Sequence, residues 1–439
     1  MNKNESLPIK PKFFYGWIIV LLSALTLFLS GPGQTYSVST FIDSFIDEFG
    51  WSRSLVSSMY SGGTLLAGLI MSAMGSFFDK HGHRKMTAII GFSFGIVLIG
   101  MSFVNKLALL FVGFFFVRLL GQGSLSLASS TLVPQWFLRK RGTALSLVSM
   151  GGALSASTVP LINTWLIINY GWQTGWRFWG LVLIAVMVPT SLIFIRNKPE
   201  DVGLLPDDEK ASEFTDDKSS STTNSSLVKK ISEINFNAKQ VLKLKAFWIV
   251  LLCSMVPSAL GTGMTFHMVS IMGENGLSPA IAASVLSIMA LIRLPVILIS
   301  GKLADKIPVK YLMAFSYFLL GLAMVILLRV DGVILGMSYG IIRGISMGVQ
   351  AVTGGVVWPD YFGRKYLGTV RGIAMTGMVI GSAFGPLPFG FAYDIFGGYT
   401  EIIIATLLIP IVAGIAMIFV NKPNQDDLDK LAHLGDNLT

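Results

Sequence analysis

Of the 439 residues, 53% are hydrophobic and only 13% charged, and mean hydropathy is +0.68. A soluble chain of this length needs about a quarter of its residues charged to cover its surface, so an ordinary soluble domain is excluded and lipid is the solvent this composition suits. The net charge of +9 does not point to nucleic acid, because Lys and Arg fall in short clusters between apolar runs and not on one face.

The first apolar run begins at Phe13 or Phe14 and has no small-residue cleavage site behind it, so it is expected to stay in the mature protein. Runs long enough to cross the hydrocarbon core occur at 14–36, 55–78, 86–104, 107–132, 142–168, 177–195, 247–272, 280–301, 310–328, 332–357, 371–393 and 400–420. They are continuous and not alternating, which predicts twelve helices and no barrel strands. Cys253, the single cysteine, lies inside one of them, so no intramolecular disulfide forms.

Charge sorts the connections into two sets. Lys3, Lys10 and Lys12 precede the first run, Lys80, His81, His83, Arg84 and Lys85 follow the second, and Arg139, Lys140 and Arg141 follow the fourth. Lys302, Lys306 and Lys310 follow the eighth, Arg364 and Lys365 the tenth, and Lys422 the twelfth. The other set offers little beyond Arg53, Lys106, Arg177 and Arg329, and carries Asp43, Asp47, Glu48, Glu274 and Asp331. The positive-inside rule then predicts a multi-pass protein of a bacterial cytoplasmic (inner) membrane with both termini in the cytoplasm.

The one long polar segment is acidic from Glu200 to Asp217, rich in Ser and Thr from Ser219 to Ser226, and basic from Lys229 to Lys245. It reads as a tether. Its second part, with Val228, Ile231, Ile234, Val241 and Leu242 among lysines, equally suits an amphipathic helix on an anionic leaflet. The expected organisation is a six-helix bundle over 1–196, a cytoplasmic linker over 197–246, a second bundle over 247–421 and a cytoplasmic tail over 422–439. The halves repeat one another: Gly75 and Asp79-Lys80 answer Gly301 and Asp305-Lys306, Arg118 answers Arg343, and Trp136-Phe137 with Arg139-Lys140 answers Tyr361-Phe362 with Arg364-Lys365. One offset, 225 or 226 positions, serves all three matches, as a duplicated unit requires.

Gly75-x-x-x-Asp79-Lys80-x-Gly82-x-Arg84-Lys85, with its degenerate copy from Gly301 to Asp305, resembles the signature loop of the major facilitator superfamily. The carboxylate of Asp79 at a helix end suits backbone N–H groups, and Gly82 suits a tight turn. The resemblance implies a latch made by Gly75, Asp79, Lys80, Gly82, Arg84 and Asp305; the plainer alternative is that these charges only anchor the loop at the headgroups. His81 and His83 lack Cys or acid neighbours at metal spacing, so no metal site is expected and both are read as solvated. Tyr15-Gly16-Trp17, and the stretch from Trp136 through Arg139-Lys140-Arg141-Gly142 to Gly151-Gly152, resemble signatures of the monocarboxylate transporters and the oxalate:formate antiporter relatives.

That resemblance implies site residues. Arg293, mid-span and just before Leu294-Pro295, stands where the subgroup places an arginine that pairs with the substrate carboxylate; a guanidinium offers a bidentate fork and is too costly to bury without a partner or a task. Arg118, with Gly121 and Gly123, is similar to the fourth-helix pattern tied to proton coupling, a structural pairing being the alternative. Met289 replaces the acid, and Tyr36 the lysine, of animal members, and Gly372 to Phe391 carries no charge where oxalate carriers hold a second cation. One deep cation fits one carboxylate, and the proton carrier stays open among His267, Arg118 and Asp43. Gly31-Pro32-Gly33 and Gly385-Pro386-Leu387-Pro388 mark helix breaks of the kind that face a cavity, and Tyr36, Gln122, Gln350 and Ser382 are polar candidates to line it.

The expected fold is therefore an all-α membrane protein of twelve transmembrane helices in two pseudo-symmetric six-helix bundles. The expected function is secondary active transport of a small organic anion, a monocarboxylate first, with protons or a counter-anion, by a monomer in the lipid bilayer working through alternating access. With no phosphate-binding glycine loop, metal cluster or paired nucleophile and base, neither enzyme activity nor a cofactor is expected. Efflux of amphipathic or multidrug compounds and a non-transporting sensor or scaffold are the rival readings.

Overall fold

In lipid every backbone polar group must be satisfied within its own segment, and the chain does this with helices. The computed structural model describes residues 7–9, 11–51, 53–208 and 234–427, a few of them, Asp43 included, without a described side chain. Twelve helices among these residues are long and apolar enough to cross a membrane: α1 (Gly16–Gly33), α2 (Ser58–His81), α3 (His83–Met101), α4 (Leu107–Trp136), α5 (Arg141–Tyr170), α6 (Trp172–Phe194), α7 (Lys245–Thr265), α8 (Ser284–Ala304), α9 (Val309–Leu327), α10 (Val333–Phe362), α11 (Leu367–Tyr393) and α12 (Thr400–Phe419). Twelve spans, an even number, bring the start of α1 and the end of α12 to the same end of the bundle.

Two boundaries differ from expectation in ways that matter. Helix α11 starts at Leu367, one turn before 371, so Arg371, the first residue of the expected run, lies a full turn inside the helix. Helix α6 starts at Trp172, and Arg177, expected in a loop, lies within it, donating to Ser102 Oγ at 3.0 Å and covering the Phe103 ring. Trp172, Trp176 and Trp179 are buried at helical spacing and extend that helix beyond its purely apolar stretch.

Of the two predicted breaks, the one in α1 is present, whereas Gly385 keeps helical dihedrals and α11 runs on through it. Helix α1 ends in a 3-10 turn over Gly31–Gly33, after which Gln34 is extended and a further short helix runs Thr35–Val38. Here α1 and α4 nearly touch, since a Cβ on Gly33 would lie 2.7 Å from Gly121 Cα and from the Val117 carbonyl. Opposite, α4 widens into a π-helical stretch over Val117–Leu125, an arrangement often found at functional sites.

Packing is unequal along the bundle axis. At the end that carries the termini, one apolar core joins both halves, with Trp136, Leu145 and Val148 packed in the same cluster as Phe247, Val352 and Trp358. At the other end the core divides into one cluster around Phe45, Phe114 and Trp176 and another around Met268, Met324 and Tyr339. The halves are fused at one end and parted at the other.

Residues 234–244 do not lie as a surface helix. Asn237 and Gln240 form a capping box around the short helix Ala238–Val241, Phe236 N–H donates to the Phe362 carbonyl at 3.2 Å, and Phe236, Val241 and Leu244 are buried against the bundle. Three apolar side chains find a protein groove there and do not need the bilayer; Val228 and Ile231 lie outside the described residues. His83 is also not solvated: it is 5% exposed and bonds Thr131 Oγ1 at 2.8 Å, whereas His81 is exposed.

Candidate functional site

Two cavities lie between the halves and another, within the second half, adjoins both. The largest flank, about 650 Å³, is lined by Arg118, Gln122 and Tyr60 from the first half and by Thr262, Ser382 and Pro386 from the second. A cavity of about 540 Å³ within the second half is lined by Ser254, Ser258, Thr262, Arg293, Arg343 and Gln350. A third, about 400 Å³, lies toward the fused end between Gln34, Tyr36, Ser149 and, across from them, Arg293 and Arg371. The second shares Ser258 and Thr262 with the first and Arg293 with the third, so Arg293 stands where both halves meet the void. All five expected substrate residues, Arg293, Tyr36, Gln122, Gln350 and Ser382, line this space.

The charge of that lining is one-sided. Arg118, Arg293, Arg343 and Arg371 contribute to it, and no Asp or Glu does among the described residues. Arg118 is satisfied within its own half, donating to the Gly33 carbonyl at 3.1 Å, Thr64 Oγ1 at 3.0 Å and Thr35 Oγ1 at 3.3 Å, with the Tyr60 ring beneath it. The break in α1 supplies that carbonyl, which is why the glycines and the arginine occur together. Arg293 Nε is buried with no hydrogen-bond partner. Tyr36 faces it from the first half with its hydroxyl on Ser155 Oγ at 3.0 Å.

The second cation that the uncharged stretch from Gly372 to Phe391 argued against is present one residue earlier. Arg371 lines the same cavity as Arg293, held by long contacts of 3.4 Å to the Ser130 and Gly355 carbonyls, with Nε unpartnered. The expectation of one deep cation is thus corrected: Arg371, at the edge of the expected run, lies a turn inside a helix that begins at Leu367, and it lines the cavity. His267 lies outside the three linings, at the break after α7, bonded to the Pro386 carbonyl at 3.2 Å and the Tyr399 hydroxyl at 3.0 Å. Pro386 is its link to the cavity wall. The side chain of Asp43 lies outside the described residues.

At the fused end two carboxylates cross between the halves in the same way. Asp79, near the end of α2, accepts from Gly368 N–H at 2.8 Å, Thr369 N–H at 2.7 Å and Thr369 Oγ1 at 2.6 Å, the free donors of the first turn of α11. Asp305, just after α8, accepts from Gly142 N–H at 2.6 Å, Thr143 N–H at 3.0 Å and the Thr143 hydroxyl in the first turn of α5. Each puts a negative group on the positive end of a helix in the opposite half. Burial pushes the Asp305 carboxyl up from the ordinary carboxylate range, and its donors partly offset this. The helices can come so close because a Cβ on Gly75 would overlap the Gly368 carbonyl, and one on Gly142 would overlap the Gly301 carbonyl. Gln135 Nε2 donates to the Arg364 carbonyl at 2.8 Å and Arg364 Nη1 returns a bond to the Gln135 carbonyl.

The model of the Major Facilitator Superfamily family matches residues 16–329 and again 251–434. The chain belongs to this superfamily. It is 30% identical over 182 residues to monocarboxylate transporter 9 of Mus musculus, a match covering 41% of this chain and 35% of that protein, and 29% identical over 200 residues to the Gallus gallus form. The chain thus spans little more than a third of the length of these relatives. Monocarboxylate transporter 2 of Mus musculus is 22% identical over 96% of this chain and 87% of its own length. The crystal structure of FucP, a superfamily transporter in the outward conformation, superposes with a TM-score of 0.69 over 93% of this chain and all of that one, at 14% identity.

Within this superfamily fold the signature-loop residues divide their work. Gly75, Asp79 and Asp305 make the crossings; Gly82 takes φ of 80°, a left-handed turn open to glycine. Arg84 holds its own half together, its N–H on Asn197 Oδ1 at 3.0 Å and its Nε on the Leu192 carbonyl at 2.9 Å, while Lys80 is exposed. Two further clamps escaped the sequence reading. Asp207 accepts from Leu138 and Arg139 N–H, both at 2.7 Å, and Asn235 Oδ1 accepts from Arg364 and Lys365 N–H, at 2.9 and 2.8 Å. Both ends of the linker are therefore pinned to repeat-related loops, and no local signal marks either residue. Arg343 escaped as well, although the repeat had already matched it to Arg118.

Proposed function

We propose that this chain is a secondary carrier for a small organic anion, a monocarboxylate first, driven by protons or by a counter-anion through alternating access. The observation that carries the reading is Arg293, a guanidinium with an unpartnered Nε in a cavity between the halves whose lining holds no carboxylate among the described residues. A buried cation without an acid is stabilised by an incoming anion, which also restores the missing hydrogen bond. Cationic amphipathic drugs meet the opposite field there. The likeness to monocarboxylate transporters points to the same cargo class. The positive-inside rule puts the fused end in the cytoplasm, so the arrangement corresponds to a carrier closed inward, held by Asp79 and Asp305, in a bacterial inner membrane. Arg118, His267 and Asp43 are the proton-coupling residues we propose, Arg118 being the one with a described side chain in the cavity wall.

The test is uptake into proteoliposomes under an imposed pH gradient, with lactate and pyruvate set against cationic dyes. Carboxylate uptake that Arg293→Lys abolishes, in a variant still monodisperse in detergent, is the expected result. Undiminished uptake in that variant removes Arg293 from the site. Dye flux without carboxylate flux favours the efflux reading, and binding without any flux favours a sensor.

A further inference from the structure

Arg343 lies on α10 at the position that repeats Arg118 of α4, yet the two arginines live differently. Arg118 has a carbonyl, two hydroxyls and a tyrosine ring. Arg343 is only 3% exposed, and neither Nε nor Nη1 has a hydrogen-bond partner. The repeat explains the loss. The residues 226 positions on from Thr35, Thr64 and Tyr60 are Gly261, Ala290 and Leu286, so each side-chain partner of Arg118 is replaced by a group that cannot accept. The correspondence holds in space, because a Cβ on Gly261 would run into the Arg343 guanidinium where Thr35 meets that of Arg118. Removing the partners opens room as well as hydrogen-bonding capacity, and Arg343 lines the same cavity of about 540 Å³ as Arg293, together with Ser258, Thr262 and Gln350.

Two buried guanidiniums facing one void without a carboxylate are costly, and a single monoanion neutralises only one of them. We infer that Arg343 is a second anion-binding group, so that the occupied site holds two negative groups at once, one on Arg293 and one on Arg343. The second group is either the far carboxylate of a small dicarboxylate or a separate inorganic anion such as chloride bound beside a monocarboxylate. Both use the same chemistry, a compact anion accepting from an unpartnered guanidinium. This rests on the proposed function and deepens it, since it gives the load its charge.

The experiment is calorimetric or thermal-shift binding to the purified full chain, using lactate, malonate and succinate, each in a zwitterionic buffer with and without added chloride, for the wild type, Arg343→Gln and Arg343→Lys. For a dicarboxylate load, malonate or succinate binds about tenfold tighter than lactate in either buffer. For a separate anion, lactate binds about tenfold tighter with chloride than without it. In both cases Arg343→Gln removes the advantage and keeps the weaker lactate binding, while Arg343→Lys retains part of it. Wild-type protein that binds lactate with neither a dicarboxylate preference nor a chloride dependence overturns the inference alone, and needs no variant to fold. So does an advantage that survives in Arg343→Gln. If no carboxylate binds the wild type, the proposed function falls and this inference with it.

Discussion

Replacing the two crossing carboxylates by amides tests whether they hold the fused end shut. In Asp79→Asn the single amide oxygen can replace Oδ2 toward Thr369, leaving an NH2 group against the Gly368 N–H that Oδ1 now accepts at 2.8 Å. One charge-assisted bond is lost and two become neutral, at about 1.5–3 kcal/mol for a bond to a charged group against about 1 for a neutral one. The carboxylate's burial penalty disappears too, so the net loss sits near the low end, about 2 kcal/mol or about 30-fold in the balance between closed and open. Asp305→Asn loses the equivalent set on α5, and because the two share no partner the double variant loses about 4 kcal/mol. Spin labels at exposed Lys140→Cys and Lys365→Cys, in a Cys253→Ser background, report the separation of the halves at that end by double electron–electron resonance. The single variants broaden the distribution toward longer distances and the double variant moves its centre. A double variant with the parent distribution refutes the latch and leaves the charges as headgroup anchors.

Three further outcomes follow from the same geometry. Arg118→Ala strands the Gly33 carbonyl at the break in α1 and costs about 3 kcal/mol, read as a lower unfolding midpoint in detergent, and an unchanged midpoint would show that those bonds are dispensable. Asn163→Ala, at a buried residue whose Nδ2 donates to Ser37 Oγ at 2.9 Å and whose Oδ1 accepts from the Trp179 indole N–H at 2.7 Å, leaves the buried Trp179 donor unpaired and takes from Ser37 Oγ a bond it accepts. It lowers stability by about 2–4 kcal/mol in the same assay, and an unchanged midpoint would show that these bonds are dispensable. His267→Gln removes the imidazole while keeping polar atoms near Pro386 and Tyr399; the proposed coupling role predicts loss of the pH dependence of uptake, and an intact pH profile assigns His267 to packing alone.

The twelve apolar helices and the duplication were legible in the sequence for definite reasons. Lipid demands long apolar runs whatever the neighbours, so hydropathy reports them directly, and the repeat survives as a constant offset through Gly75 and Gly301, Asp79 and Asp305. Such a reading errs at helix ends, because polar residues can extend a helix beyond its apolar core; Arg177 was counted with a loop for this reason, and Arg371, at the first position of its run, was left out of the deep cations. What tertiary structure alone decided was partnership. Arg118 and Arg343 are the same residue at the same repeat position, and only the groups brought opposite them by α1, α2, α7 and α8 make one satisfied and the other unpaired. A side chain's depth can be read from its neighbours along the chain, whereas its charge balance depends on residues far off in sequence, 54, 83 and 85 positions away for Arg118, and in this protein the cation-rich cavity is a property of that second kind.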